Sequence, residues 1–349
     1  MGLTDKQLQE LRETFDSSAR PLILFDDDAD GLASFLLIYK HIREGKGIPV
    51  KNAPELGPEM AEKVNDYGPD LVIIVDVPII NQDFIDKVKT KIVWVDHHPL
   101  IDRKGVHYYN PRQENPEDNR PTSYWVYKAI PENLWIAMTG IVGDWFLPEE
   151  EMLRAFRADY PALLPEEITR PEVALHDSKL GELIRIISFN LKGKASDVVK
   201  SMKVMTRIRD PSEILEQTTA GGRFIYKKYA KLKQTYDLIL SQIKVKPEDK
   251  LLVFTYQSPD YSFSAELSNE LIYKNPDKVI LVVWEYGGEY KCSLRSTQVN
   301  LPQLIEESLK GISGYGGGHD HAAGACIKID DFEQFVDNIL AKAIGKETK

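Results

Sequence analysis

A chain of 349 residues is longer than one ordinary domain, and about two domains is the natural expectation. Hydrophobic residues make up 42% of it and its mean hydropathy is -0.33, the profile of a soluble globular protein with ample core material. A formal net charge of -10 argues against a broadly basic nucleic-acid-binding surface, and two cysteines, Cys292 and Cys326, exclude a disulfide framework or a cysteine-built zinc ribbon.

The opening stretch, MGLTDKQLQELRETF, is charged and helix-forming and lacks the apolar core of a secretory signal. No run approaches the roughly 20 apolar residues of a membrane helix, so the cytoplasm is the expected location, with no membrane association. Residues 21–25 (PLILF) read as a strand, and 31–44 as a helix with Leu36, Leu37 and Ile38 on its inner side. Residues 71–75 (LVIIV) and 91–95 (KIVWV) are continuous β-branched runs, as expected of strands buried on both faces, with a helical pattern at 81–89 between them. This β-α-β-α rhythm predicts a parallel sheet wrapped by helices, whose ligands bind beyond the carboxyl ends of its strands.

A polar, proline-bearing loop at 111–121 leads into a helical pattern over 122–145, interrupted at Pro131. Residues 181–244 are almost entirely helical in pattern. From Lys250 the β rhythm returns with LLVFTY, a helix around 265–274, VILVVWEY and YKCSLRST. A glycine-rich loop, GYGGGHDHAAG, then precedes a last strand and a helix over 332–343. The expected fold class is α/β in two domains, with a parallel sheet wrapped by helices, a helical connector, and a smaller mixed-sheet α/β domain at the C-terminal end. The expected boundaries are 1–190, 191–246 for the connector, and 247–349.

The acids fall where such a sheet binds ligands. Asp26, Asp28 and Asp30 follow the first strand in DDDADG, Asp76 ends LVIIVD, and Asp96, His97 and His98 end KIVWVDHH. Asp144 lies in the otherwise apolar WIAMTGIVGDWF, where an unpaired charge is costly. Crowded carboxylates repel one another and stay partly protonated unless a cation is present. Aspartate oxygens with an imidazole suit manganese or magnesium, whereas zinc favours more His or Cys. Two such ions clamp the attacking and leaving oxygens of a phosphate. The alternative of a calcium loop fails because its twelfth position, which needs Glu or Asp, is Leu37. Taken singly, Asp76 reads as a strand-end turn or cap, His97-His98 as a polar strand terminus, and Asp144 as hydrogen-bonded structure; their joint arrangement points to metal.

DDDADG, VDVP, VDHHP and GIVGD, in that order, resemble the four motifs of the DHH phosphoesterase superfamily. GGGHDHAAG is similar to the hallmark of the DHH-associated C-terminal domain of RecJ-type nucleases and oligoribonuclease/pAp phosphatases. The resemblance implies a DHH catalytic domain followed by a DHH-associated substrate-binding domain. It implies two divalent cations, manganese first and magnesium as the alternative, with Asp76 bridging them. Asp28 would complete one site and Asp30, His97 and Asp144 the other. Many relatives carry a histidine four residues before the first of these aspartates; Leu24 stands there, and Asp26 is the expected substitute. His98 would face the substrate phosphate, with Asp96 orienting the neighbouring histidine. Arg295 and the loop Gly316, Gly317, Gly318 and His319 would bind substrate phosphate through a guanidinium fork and bare backbone N–H groups. His321 receives no role, and His41, His107 and His176 read as structural or exposed.

The implied chemistry is two-metal hydroxide attack on phosphorus, with domain closure governing access. An acidic chain without a basic extension fits short substrates, so stepwise cleavage of short single-stranded RNA or DNA oligonucleotides to mononucleotides is expected. The alternatives are a pAp phosphatase, a cyclic-dinucleotide phosphodiesterase, and a non-catalytic RecJ-like partner in replication. A homodimer, or a replication or repair protein as partner, is compatible with the resemblance.

Overall fold

A computed structural model describes residues 2–50 and 55–344, which divide into two compact units, Met1–Tyr229 and Ala230–Lys349. The boundary falls within the helix Ala220–Leu240. Among the described residues no helix is long and apolar enough to cross a membrane.

The first unit is built on five parallel strands, β1 (Pro21–Asp26), β2 (Lys46–Val50), β3 (Leu71–Val75), β4 (Ile92–Val95) and β5 (His107–Tyr109), in the order β2-β1-β3-β4-β5. The order turns at β1, since the chain passes from β1 to β2 on one side and then from β2 to β3 on the other side of β1. That reversal opens a crevice at the carboxyl ends of β1 and β3, the usual ligand position in such sheets. β1, β3 and β4 are central, and their apolar side chains are buried on both faces. One face packs Leu22, Leu24, Val72, Ile74, Ile92 and Trp94 against Val64, Ile80 and Phe84. The other lies beneath helix Ala29–Ile42, whose residues from Ala29 to Ile38 are all buried, as its apolar sequence requires. Leu24 is fully buried in this core, a burial worth roughly 1.5–3 kcal/mol. The expected break at Pro131 separates helices Thr122–Ala129 and Leu134–Gly143.

The second unit holds a mixed sheet of β6 (Leu251–Gln257), β7 (Val279–Tyr286), β8 (Glu289–Arg295), β9 (Gly314–His319) and β10 (Ala322–Lys328), ordered β6-β7-β8-β10-β9. Only β6 and β7 are parallel. The α/β class with a parallel N-terminal sheet, a helical region and a mixed C-terminal sheet is therefore as expected.

β2 and β5 lie where no strand is expected, and one expected element takes another form. The glycine-rich stretch expected as a loop is an edge strand, β9, joined to β10 in an antiparallel hairpin. Here glycine is what the pairing needs. A Cβ at Gly316 would lie 2.7 Å from the Gly324 carbonyl oxygen, and one at Gly318, whose φ is 147°, would lie 2.6 Å from the Ala322 oxygen. The two backbones approach closer than any side chain permits, so tertiary pairing overrides the low strand propensity of glycine.

Candidate metal centre

β1 delivers Asp26 to the carboxyl edge of the sheet, and the chain turns at once into helix Ala29–Ile42. Gly31 makes that turn fit, because a Cβ there would fall 2.4 Å from the Asp26 carbonyl oxygen. Asp28 caps the helix by accepting a hydrogen bond from the Gly31 N–H at 2.9 Å. Asp30, in the first helical turn and 1% exposed, accepts the N–H groups of Thr122 at 2.8 Å and Ser123 at 2.9 Å. It thereby caps a second helix, Thr122–Ala129, from across the unit, where its charge also meets the positive end of the helix dipole.

Asp76 follows β3 directly and is 2% exposed. Its backbone is left-handed (φ 61°), a conformation aspartate tolerates better than most residues but still at a cost. Its N–H donates to the Val95 carbonyl at 3.0 Å, and its carboxylate accepts the Thr122 hydroxyl at 3.1 Å. These bonds fix an acid at the crevice mouth.

At the end of β4, Asp96 accepts His98 Nδ1–H at 2.8 Å and the His98 backbone N–H at 3.1 Å. Asn110 Nδ2 donates to the His98 carbonyl at 3.0 Å, and Arg112 Nε donates to the His97 carbonyl at 2.8 Å, so this two-histidine turn is held from both sides. His97 Nε2 lies 3.4 Å from Asp76 Oδ1 and 3.5 Å from Asp144 Oδ2. Asp144 stands just beyond helix Leu134–Gly143, its N–H donating to the Gly140 carbonyl.

The electrostatics follow from this crowding. Burial first, then the charges of Asp30, Asp28, Asp26 and Asp144, push the Asp76 carboxyl well above the usual carboxylate range. Asp144 is raised by burial and by Asp30 and Asp28, and Asp26 by burial and by Asp28 and Asp27. For Asp28, desolvation by the surrounding protein and the charge of Asp30 outweigh the Gly31 hydrogen bond and bring it to about 6. Asp28 itself keeps solvent contact. Burial pulls His98 down, but the Asp96 hydrogen bond and the charges of Asp96, Asp28 and Asp30 more than offset it, and its charged form is favoured. Acids of one sign, each penalised for ionising, are what a cation relieves.

Among the described residues, three groupings offer ligand atoms that all lie within 4.8 Å of one another: Asp26, Asp28 and Asp76; Asp30, His97 and Asp144; and Asp76, His97 and His98. Asp76 and His97 each belong to two of them. The donor set, carboxylate oxygens with imidazole, fits manganese or magnesium. His98 falls within ligand reach, while its Nδ1 is committed to Asp96, which leaves Nε2 as the atom turned away from that bond.

The substrate residues expected in the second unit lie on β8 and β9, the two strands that flank β10. Arg295 ends β8, and its Nε donates to Asn269 Oδ1 at 2.6 Å and its Nη1 to the Leu294 carbonyl at 2.7 Å. Burial, partly offset by Glu266, draws its guanidinium down to about 10. Gly316, Gly317 and Gly318 lie along β9; the His319 side chain lies outside the described residues. His321 Nδ1 meets the Ser296 carbonyl at 2.9 Å and pins the hairpin turn, while His41 bridges Asp16 and Glu132.

Sequence reasoning missed Thr122, Asn110 and Arg112. Thr122 serves both Asp30 and Asp76, from 92 and 46 residues away, and no local pattern marks it. The proline before it, at a helix start, is the one local cue.

The DHH family, N-terminal domain, matches residues 21–142, and the DHHA1 domain matches residues 248–344. Among solved structures, the chain is similar to a RecJ from Thermus thermophilus in complex with Mn2+, with a TM-score of 0.71 and 15% identity over 98% of this chain and 55% of that one. It thus spans about half the length of that RecJ. A DHH domain described as a member of a family of ribosomal proteins matches with a TM-score of 0.67 and 17% identity, over 97% of this chain and 90% of that chain. An exonuclease RecJ bound to manganese matches with a TM-score of 0.59 and 15% identity over 98% and 95% of the two chains. Comparison with curated proteins gives no match. With both domain matches in sequence order on this fold, the chain belongs to the DHH superfamily and carries a C-terminal DHHA1 domain.

Proposed function

We propose that this chain is a manganese-dependent phosphodiesterase that releases mononucleotides from short single-stranded oligonucleotides. The observation that carries the reading is the shared membership of Asp76 and His97 in adjoining ligand groupings at the β1/β3 crevice. Asp26, Asp28 and Asp76 would hold one cation, and Asp76 with Asp30, His97 and Asp144 the other. Divalent cations held there supply Lewis-acid stabilisation of the charge that develops on the phosphoryl oxygens.

The chain's own residues do the rest. His98, fixed by Asp96 and biased toward its charged form, carries a proton at Nε2 for the leaving oxygen. Thr122 and the bonds at Asp30 keep the carboxylates in place before any substrate arrives. Residues 1–190 form the catalytic domain, 191–246 a helical connector, and 247–349 the substrate-binding domain, where Arg295 and Gly316–Gly318 take phosphate oxygens. Retention of the full carboxylate set supports hydrolysis over a purely structural role.

The test is manganese-dependent release of mononucleotides from an end-labelled oligonucleotide, with pAp and cyclic dinucleotides run in parallel. Asp76→Asn and His97→Ala are expected to lower the rate by about 10³-fold or more while leaving the circular dichroism spectrum unchanged. Wild-type rates in either variant would overturn the assignment.

A further inference from the structure

Cross-strand register separates the C-terminal sheet into two faces. One carries Cys292, Leu294, Ala323, Ala325 and Ile327 and is packed against residues of helices Leu301–Ser308 and Phe332–Ile344. The other is covered in part by helix Ser264–Lys274, where Ser268 Oγ meets Ser293 Oγ at 2.9 Å and Asn269 accepts from Arg295. Beyond that helix the register places Trp284, Lys291, Cys326 and Tyr315 in one transverse row, with Tyr286, Glu289 and Lys328 in the next.

This uncovered part is rich in flat rings. Trp284 and Tyr286 stack with centroids 4.5 Å apart and planes 24° from parallel. Lys291 Nζ sits 5.3 Å from the Tyr286 centroid and 5.7 Å from that of Trp284. Tyr286 is 48% exposed and Tyr315 65% exposed, unusual for rings this large. Between the two aromatic positions and the Arg295 end of the sheet, Gly324 and Gly317 pair, and nothing lies within 4 Å of a Cβ built at Gly317. The two lysines outnumber the one acid, Glu289, which is itself engaged by the Cys326 thiol at 3.2 Å. In a chain of net charge -10, an exposed aromatic strip with a positive local balance is complementary to a polyanion that has π-faces.

We propose that this face is a base-stacking platform for a single-stranded oligonucleotide: Trp284, Tyr286 and Tyr315 take nucleobases, and Lys291 and Lys328 meet the phosphates between them. Three strand spacings, roughly 14 Å, separate the Trp284 and Tyr315 positions, room for more than one nucleotide. Stacking is tolerant of sequence, because every base offers a π-face, so the platform gives length preference rather than sequence preference. The proposal rests on the oligonucleotide reading above and adds to it where the chain of the substrate runs.

The test is fluorescence anisotropy of a labelled DNA decamer on the full chain in EDTA, so that nothing is cleaved, beside a decamer of the same charge made of abasic units. Tyr286→Ala and Tyr315→Ala are each expected to weaken decamer binding about ten-fold, with Phe at either position restoring it. The abasic decamer is expected to bind the wild-type chain at least about ten-fold more weakly than the normal one. Alanine variants that hold the decamer as tightly as wild type would overturn the proposal. So would an abasic decamer bound as tightly as the normal one, a result independent of how any variant folds. If the decamer binds with this dependence on its bases yet is not cleaved with manganese, the hydrolytic reading falls and the platform stands.

Discussion

At the carboxyl edge of the N-terminal sheet, Asp30, Asp76 and Asp96 are at most 2% exposed and each accepts hydrogen bonds that fix its carboxylate. On the C-terminal sheet, Gly317 has open space around it and Tyr315 is largely in solvent. One region is preorganised and its charges are held against their own repulsion; the other is a bare surface that offers backbone and rings. Chemistry on phosphate needs the first kind of site, because charge must be met without rearrangement. Holding a variable chain needs only the second.

The sharpest way to break this contrast is to loosen the first region without touching a carboxylate. Thr122→Val removes the hydroxyl from Asp76 while keeping volume and the backbone N–H to Asp30. Manganese affinity measured by calorimetry is expected to fall about 10–100-fold, with Thr122→Ser recovering most of it. Equal affinity in wild type and valine variant would mean that the preorganisation is not functional.

Next in size is the difference between two neighbouring glycines in the second region. Gly318→Ala forces a Cβ against the Ala322 oxygen at φ 147° and is expected to cost about 1–3 kcal/mol in denaturant unfolding. Gly317→Ala meets nothing and is expected to stay within about 0.5 kcal/mol. Similar losses at both would contradict the strand pairing.

The smallest effect is on acid stability. In metal-free protein the raised carboxyls of Asp76, Asp26 and Asp144, with Asp28 at about 6, bind protons more readily folded than unfolded. His98, also raised, acts in the same direction. Stability therefore falls as pH rises through these values, and lowering pH from 7.5 to about 5.5 is expected to raise Tm by roughly 2–4 °C. Saturating manganese is expected to flatten or reverse the trend, since protons then compete with the metal. A metal-free protein whose Tm falls over the same interval would refute the crowding argument.

How much of this could be read from the chain alone depended on where stability comes from. β1, β3 and β4 are buried on both faces, so their β-branched runs and terminal acids are visible as continuous patterns. The edge strands β2, with Gly47 and Pro49, and β5, only three residues long, are held by their neighbours and carry no such pattern. β9 reads as a loop for the same reason: its glycines express the closeness of β10, not any preference of their own. Likewise the acids of the site are legible, but Thr122, Asn110 and Arg112 are not, because their partners are near only after folding.

Asp30 joins two duties in one side chain. It offers oxygens toward the cation grouping and simultaneously closes the start of helix Thr122–Ala129. Loss of Asp26, Asp28 or Asp144 relieves repulsion among the buried acids. Loss of Asp30 instead strands two buried N–H groups, those of Thr122 and Ser123, so the same acid that adds to the crowding is the one the architecture cannot spare.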